Sequence, residues 1–145
     1  MPDELIIRAI GTPARQGSKD FKGMRGGRPI LVEADDELPN WRRSVSDAAQ
    51  SAMRAHGWLK EDGPCEVWIE VYLERPRTVK REYPDRMGDG DSDKYARAVM
   101  DALSIAGVYT DDSRVIDHHC RKRWTAPGQQ PGARIVVRAL TEPLI

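Results

Sequence analysis

The apolar residues of this chain recur at two spacings, and the shorter spacing predicts four strands. Residues Glu4–Ile10 form a β-branched apolar run, and residues Glu66–Glu74 alternate between apolar and polar side chains. Two further strands are predicted at Arg114–Trp124 and Ala133–Leu140, which are separated by prolines and glycines. The apolar side of the second strand consists of Val67, Ile69, Val71 and Leu73. We therefore expect one face of that strand to pack against a core.

Apolar residues at helical spacing predict two main helices. The first helix begins at about Asn40, which can cap a helix N-terminus, and stops at Gly57. The second helix spans about Asp93–Ala106 and stops at Gly107. Together these elements predict an α+β fold, with one domain over residues 1–145 and about four strands in a mixed or antiparallel sheet.

Charge is unevenly distributed along the chain, although its 23 basic and 23 acidic residues cancel. A formal net charge of zero argues against a uniformly basic nucleic-acid-binding protein. Two segments are nevertheless basic, residues 12–28 and residues 75–86. The first contains several glycines and is predicted to be a flexible loop that can close over a substrate backbone. Solvated loops carry similar charge runs, so composition alone leaves both interpretations open.

The two cysteines, Cys65 and Cys120, lie far apart and outside any C-x-x-C pattern. Neither a disulfide framework nor a thiolate zinc site is indicated, so we expect reduced thiols. No run approaches 18 apolar residues, and the first residues lack the basic and then apolar layout of a signal peptide. These features predict a soluble, cytoplasmic protein with no membrane partner.

Carboxylates gather at both ends of the second predicted helix. Asp89, Asp91 and Asp93 precede or open that helix, and the pair Asp111-Asp112 follows it. Magnesium prefers oxygen ligands and keeps several waters, so one to three carboxylates suffice to hold it against a substrate phosphate. In an extended segment the first three carboxylates would project to one side, and Asp112 or Asp111 would complete the site.

A calcium-binding loop and simple helix capping are the two alternatives to a magnesium site for these acids. An EF-hand loop starting at Asp89 fails at its sixth position, where Lys94 replaces the required glycine. It also fails at its twelfth position, where Met100 replaces the bidentate glutamate. Capping remains a possible explanation, because aspartates commonly cap helices and occupy turns. Capping or a turn alone can account for any one of Asp89, Asp91 and Asp93.

Three short motifs in this region carry a more specific signal. They are Asp91-Ser92-Asp93-Lys94, Ala98-Val99-Met100-Asp101-Ala102-Leu103 and Asp111-Asp112-Ser113-Arg114-Val115. Together they resemble the RusA family of Holliday junction resolvases. The similarity is continuous over about 30 residues and extends loosely over most of the chain.

The resemblance implies that Asp91, Asp93 and Asp112 are the catalytic, magnesium-binding residues, with Mn²⁺ as an alternative ion. The family often has a lysine four residues after the second aspartate, where this chain has Arg97. A guanidinium stays protonated, so Arg97 can clamp phosphate or stabilise the transition state but can hardly donate a proton. Lys94 is a nearer lysine that can share this role.

The function implied is a magnesium-dependent endodeoxyribonuclease that resolves four-way junctions by paired symmetrical nicks, in recombination, repair or phage DNA processing. A homodimer, branched DNA as partner and a bacterial or phage-infected cell follow from the same resemblance. The expected phosphate contacts come from Arg15, Lys19, Lys22, Arg25, Arg75, Arg77, Lys80 and Arg81.

Three alternative functions are compatible with the sequence. The first is a non-catalytic protein that binds branched DNA, and the second is a nuclease of broader flap or fork specificity. A phosphatase acting on small phosphate esters is more remote. A zinc site at His118, His119 and Cys120 is disfavoured, because consecutive residues on a strand point to opposite faces.

Overall fold

The computed structural model describes residues 1–17, 19–33 and 35–140. The strands are β1 (Glu4–Ile10), β2 (Lys19–Arg25), β3 (Arg28–Glu33), β4 (Cys65–Leu73), β5 (Val115–Trp124) and β6 (Gly132–Ala139). The helices are α1 (Leu38–His56) and α2 (Ser92–Ala106), with short 3-10 turns at Met87–Asp89 and Asp112–Arg114. The predicted α+β class is confirmed.

The main sheet has four strands in the order β1-β6-β4-β5. Strand β6 is antiparallel to both of its neighbours, whereas β4 and β5 are parallel. Parallel neighbours need a crossover connection, and α2 lies in that connection. The sheet is therefore mixed, and α2 returns the chain from the end of β4 to the start of β5.

Both helices pack on one face of the sheet, α1 against β1 and α2 against β5, and they also contact each other. The side of β4 predicted to be apolar is buried in this layer, and Trp41 of α1 is 1% exposed. The opposite face of the sheet has no helix over it in the described part of the chain, and Trp68 of β4 is 46% exposed there. We call this second face the outer face. Neither described helix is long and apolar enough to span a lipid bilayer.

The predicted start of α1 was wrong. The helix begins at Leu38 with Glu37 as its N-cap residue and Pro39 in its first turn, so Asn40 is not the cap. Proline suits the first turn because its missing N–H would have no helical partner there. The prolyl ring therefore sets the boundary two residues earlier than the asparagine suggested.

The basic segment 12–28 is also more ordered than its composition predicted. Strands β2 and β3 form an antiparallel hairpin, in which Arg25 pairs with Arg28 across a two-residue turn. The turn residues Gly26 and Gly27 have φ angles of 57° and 77°. Positive φ at both positions matches the twist of a hairpin, and only glycine adopts it without strain. From Lys19 onward the segment therefore belongs to a β-hairpin, and only the described part before it is a loop.

Candidate active site

Asp91 stands at the N-cap position of α2 in an extended conformation, with φ −84° and ψ 138°. Its side chain makes no capping hydrogen bond, and that side chain is 65% exposed. The Lys94 ammonium lies 3.9 Å from its Oδ2. Capping therefore does not account for Asp91, and its carboxylate is presented to solvent.

Asp93 lies in the first turn of α2 and is exposed. Arg97, Asp101 and Ser104 follow it at intervals of four, four and three residues, so these side chains share one face of the helix. The opposite face of α2 is buried and contacts the core. The solvent-facing side of α2 is thus a polar row that begins at the Asp91 end.

Asp89 is turned away from this row. Its Oδ2 accepts a hydrogen bond from Arg81 Nη2 at 2.7 Å and another from the Arg86 backbone N–H at 3.0 Å. Partial burial alone would raise the pKa of Asp89, but these bonds and the charges of Arg81 and Lys122 hold it below the usual range. Asp89 therefore anchors the loop, and the three spaced aspartates do not project to one side.

The loop before α2 is held from three directions around Gly90. The Tyr95 hydroxyl donates to the Asp89 carbonyl at 2.7 Å, and Lys122 Nζ donates to the Gly90 carbonyl at 2.5 Å. Gly90 has φ +87°, and a Cβ there would collide with Arg15 Cδ. These contacts fix the backbone that presents Asp91.

The two acids of the Asp111-Asp112 pair have different environments. Hydrogen bonds from the Ser113 side chain and from the Ser113 backbone N–H lower the pKa of Asp111. The backbone bond measures 2.8 Å and caps the 3-10 turn. Burial raises the pKa of Asp112. A hydrogen bond from Ser104 opposes this rise, and the negative charges of Asp101 and Asp111 add to it. Asp112 is therefore the acid of the pair that the turn does not use.

Asp112 nevertheless lies at the far end of α2 from Asp91 and Asp93. Its neighbours on the helix are Asp101 and Ser104. Eight residues separate Asp93 from Asp101, which is about 12 Å along a helix axis. Within the described ranges, no three His, Cys, Asp or Glu side chains lie close enough to hold one metal ion. One chain thus brings Asp91 and Asp93 to one end of the row and leaves Asp112 at the other.

Arg97 extends from the middle of this row over the loop that follows β1. A Cβ built on Gly17 would lie 2.5 Å from Arg97 Nη1, so the guanidinium covers the Gly17 backbone. The φ angle of Gly17 is +103°, which also favours glycine. The loop can approach the row because residue 17 has no side chain.

Sequence reasoning missed two residues that border the row, Arg42 and Gln16. Arg42 of α1 donates to Gln16 Oε1 at 3.1 Å and lies 3.4 Å from Asp101 Oδ2. Asp101 therefore has a cationic partner in α1 and ties the two helices together. In the sequence, the only sign of this role of Arg42 is its position next to Trp41 on the predicted helix, and that signal is weak.

The basic residues predicted to contact DNA fall into two groups. Arg75 and Arg81 lie over the Trp124 ring, with guanidinium carbons 6.0 Å and 5.4 Å from its centroid. Arg15 is half-buried and contacts Asp35. The more exposed group consists of Lys22, Arg25, Arg77 and Lys80. The side chain of Lys19 lies outside the described part of the structure.

The residues of the disfavoured zinc site are split between the two faces of β5. His119 stacks on Trp68 on the outer face, with ring centroids 3.8 Å apart. Cys120 faces the helices, where burial and the charge of Asp93 raise the pKa of its thiol to about 12. A thiol of this kind remains protonated and is a poor metal ligand. Cys65 and Cys120 are both free thiols, as the sequence predicted.

Comparison with known proteins identifies the family of the chain. No curated protein matches the chain. The model of the family described as endodeoxyribonuclease RusA matches residues 11–138, a range that includes both described helices, strands β2 to β5, nearly all of β6 and every predicted site residue. The chain therefore belongs to the RusA family of endodeoxyribonucleases, whose members resolve Holliday junctions in DNA.

Proposed function

We propose that this protein is a magnesium-dependent resolvase that introduces paired symmetrical nicks into four-way junctions, in recombination, repair or phage DNA processing. The carboxylate of Asp91 carries the proposal, because it stands at the start of α2 without a capping hydrogen bond. Its side chain faces solvent, and Tyr95 and Lys122 fix the backbone that carries it. Such a carboxylate is suited to binding a metal ion and does not serve to stabilise the helix.

The donor set at this end of α2 fits a magnesium ion. Asp91 and Asp93 offer carboxylate oxygens two residues apart, and Mg²⁺ is commonly bound by one or two carboxylates together with waters and substrate phosphate. When bound, the ion would polarise the scissile phosphodiester and lower the pKa of attacking water. Mn²⁺ has a similar preference for oxygen ligands and is the alternative ion.

Two cations of α2, Arg97 and Lys94, are proposed to bind the substrate phosphate. Arg97 stays charged and presents a planar fork of donors, so it would orient a phosphate and stabilise charge that develops on its oxygens. Lys94 lies beside Asp91 and would bind as a point charge. We assign the positioning role of the family lysine to Arg97, since it occupies the centre of the row between Asp93 and Asp101.

A homodimer is the proposed working form. Two strands must be cut, and a two-fold dimer presents two equivalent sites. Asp112 and Asp91 lie at opposite ends of α2, so one chain alone does not assemble the three predicted metal ligands. Two copies packed with antiparallel α2 helices would bring the Asp112 end of one copy towards the Asp91 end of the other.

The exposed cations Lys22, Arg25, Arg77 and Lys80, together with Lys19, are proposed to contact the phosphates of the junction arms. Each contact displaces counterions, so binding should weaken with salt. Replacing Lys19 and Lys22 by Ala should weaken junction binding and flatten its salt dependence. An unchanged slope would show that the hairpin makes no phosphate contacts.

The decisive experiment is cleavage of a labelled synthetic four-way junction by wild type and by Asp91→Asn, with magnesium and with a chelator. We expect paired symmetrical nicks that require magnesium and are lost in the variant, while junction binding persists. Asp47→Asn, which removes an exposed carboxylate from α1, is the matched control and should cleave normally. Normal nicking by Asp91→Asn would refute the assigned site.

A panel of flaps, forks and four-way junctions separates a resolvase from a nuclease of broader specificity. A resolvase makes symmetrical paired nicks in the four-way junction and cuts the other substrates more slowly. Equal rates on all three substrates would favour the broader activity with the same carboxylates.

A further inference from the structure

The outer face of the main sheet carries one row of largely apolar side chains that crosses all four strands. Strand pairing aligns Ile6, Val136, Trp68 and His119 in this row. Trp68 is 46% exposed, and its ring lies 14° from parallel to the ring of His119. The two rings form a preassembled aromatic stack on a surface that no described helix covers.

The next row along the same face is cationic. It consists of Arg8, Arg134, Glu70 and Arg121. The three arginines are exposed, and none has an ion-pair partner within the described residues. Glu70 is occupied, because it accepts a hydrogen bond from Arg123 Nη1 at 3.1 Å. Three uncompensated guanidinium groups therefore stand about 7 Å from the aromatic row, the distance spanned by two residues of a strand.

A groove of about 440 Å³ separates these two rows. Trp68 and His119 line one side of it, and Arg121 and Arg134 line the other, with Glu70 between them. This volume lies within the usual range for small-ligand sites, roughly 300–1,000 Å³. An aromatic wall opposite a cationic wall matches a nucleotide, which has a ring to stack and a phosphate to neutralise.

We propose that this groove binds unpaired nucleotides of the DNA substrate, with a base against the Trp68–His119 stack and the adjoining phosphates on Arg121 and Arg134. The inference deepens the proposed function and rests on it for the source of the strand. Duplex bases are already stacked on each other, so the groove would take nucleotides exposed at a branch point or in a gap.

The outer face also has features that a second copy of the chain could use. Its opposite end is acidic, since Arg138 pairs with both Glu4 and Glu66, and Asp117 lies beside Glu66 and contacts His119 Nε2 at 3.3 Å. Because the uncompensated charge of the two rows that line the groove is positive, a polyanion fits the groove better than a second copy does.

The test measures binding of a fluorescent single-stranded 20-mer by anisotropy, in the Asp91→Asn background and in chelator so that no cleavage occurs. Trp68→Ala should weaken binding by about fivefold to a hundredfold, and Trp68→Phe should recover part of the loss. The double variant Arg121→Gln/Arg134→Gln should also reduce the salt slope by about 1.4. The matched control Arg43→Gln/Arg54→Gln removes two exposed charges from α1 and should leave binding unchanged.

Photocrosslinking of a 20-mer that contains 5-iododeoxyuridine locates the contact without relying on the folding of any variant. The expected adducts are on Trp68 or His119, and duplex DNA of the same sequence should compete poorly. Adducts confined to other residues, or groove variants that bind like wild type, would overturn the proposal. A change of sedimentation in Trp68→Ala without a change in DNA binding would instead make this face an interface between copies.

The outcomes also separate this proposal from the proposed nuclease function. Junction cleavage by wild type without any single-strand binding would overturn the groove and leave the nuclease standing. Single-strand binding through the groove without junction cleavage would support the groove and overturn the proposed nuclease function.

Discussion

Arg81 Nη2 donates to Asp89 Oδ2 at 2.7 Å, which joins the basic segment after β4 to the loop that presents Asp91. The same arginine lies over the Trp124 ring, and its carbonyl accepts a hydrogen bond from the Trp124 indole. Arg81 is therefore committed to structure through its side chain and its backbone, although the sequence predicted it to be a DNA contact. The same bond holds the Asp89 carboxylate, so Asp89 is not one of the proposed metal ligands.

Replacing Asp89 by Ala should destabilise the protein by about 1.5–3 kcal/mol, the usual value of a hydrogen bond to a charged group. The change removes the partner of Arg81 and the acceptor of the Arg86 backbone N–H. Urea denaturation at pH 7 measures the difference. Asp85→Ala is the control, because Asp85 is exposed and contacts Arg81 only at 3.7 Å.

The same pair predicts a pH dependence of stability. The pKa of Asp89 is lowered in the folded protein, so its ionised form stabilises the fold above the unfolded-state pKa of about 3.9. This stabilisation is lost as the pH falls through the lower folded-state pKa. The difference between wild type and Asp89→Ala should therefore shrink below about pH 4. A difference that stays constant into strong acid would contradict the assignment.

Asp112→Asn should reduce junction cleavage by about a hundredfold or more, since loss of even an outer-shell metal partner costs about 10–100-fold. Asp111→Asn should be much milder, because Asp111 serves the turn through Ser113 and an amide oxygen can still accept that bond. Single-turnover rates at saturating magnesium compare the two. Equal losses in both variants would mean that the turn, not the carboxylate of Asp112, matters.

Arg97→Ala should lower the cleavage rate constant by about a hundredfold, the usual effect of removing one donor that stabilises transition-state charge. Arg97→Lys should retain most of the rate but lose it above about pH 10, where a lysine deprotonates and an arginine does not. A pH profile from about 7 to about 10.5 spans this lysine pKa and tests the prediction, with Arg43→Ala on α1 as the control. Full activity in Arg97→Ala would transfer the role to Lys94.

The double variant Arg77→Ala/Lys80→Ala should bind four-way junctions more weakly and with a salt slope smaller by about 1.8, since each phosphate contact to duplex contributes about 0.9. Neither side chain has an ion pair among the described residues. Arg81→Ala should mainly lower stability instead. Titrations between about 50 and about 200 mM salt give the slopes, and a slope equal to that of wild type would remove these residues from the DNA interface.

The strands and helices that carry a strong apolar pattern were largely predictable from the sequence. The alternation in β4 indicated its buried side correctly, and α2 begins one residue before the predicted start. The hairpin β2–β3 was not predicted, because cations and glycines interrupt any alternation there. The Gly26-Gly27 pair was the available signal, since two adjacent glycines favour a two-residue hairpin turn.

The candidate site was predictable only in part, because sequence gives the order of residues but not the direction of side chains. Spacing placed Asp89, Asp91 and Asp93 together, yet the Arg81 bond turns Asp89 inward. The contact of Arg42 with Asp101 joins residues of two different helices and depends on how those helices pack. Such contacts arise from tertiary structure, which no local pattern encodes.

Strand β6 lies between β1 and β4, although among the described strands it is synthesised last. Until residues 132–139 leave the ribosome, β1 has no neighbour in the sheet and β4 has one open edge. Unpaired edges of this kind recruit other strands, and long-range pairing is slow to form. A nascent chain that lacks β6 would therefore expose unpaired strand edges and be prone to aggregation until β6 joins β1 to β4.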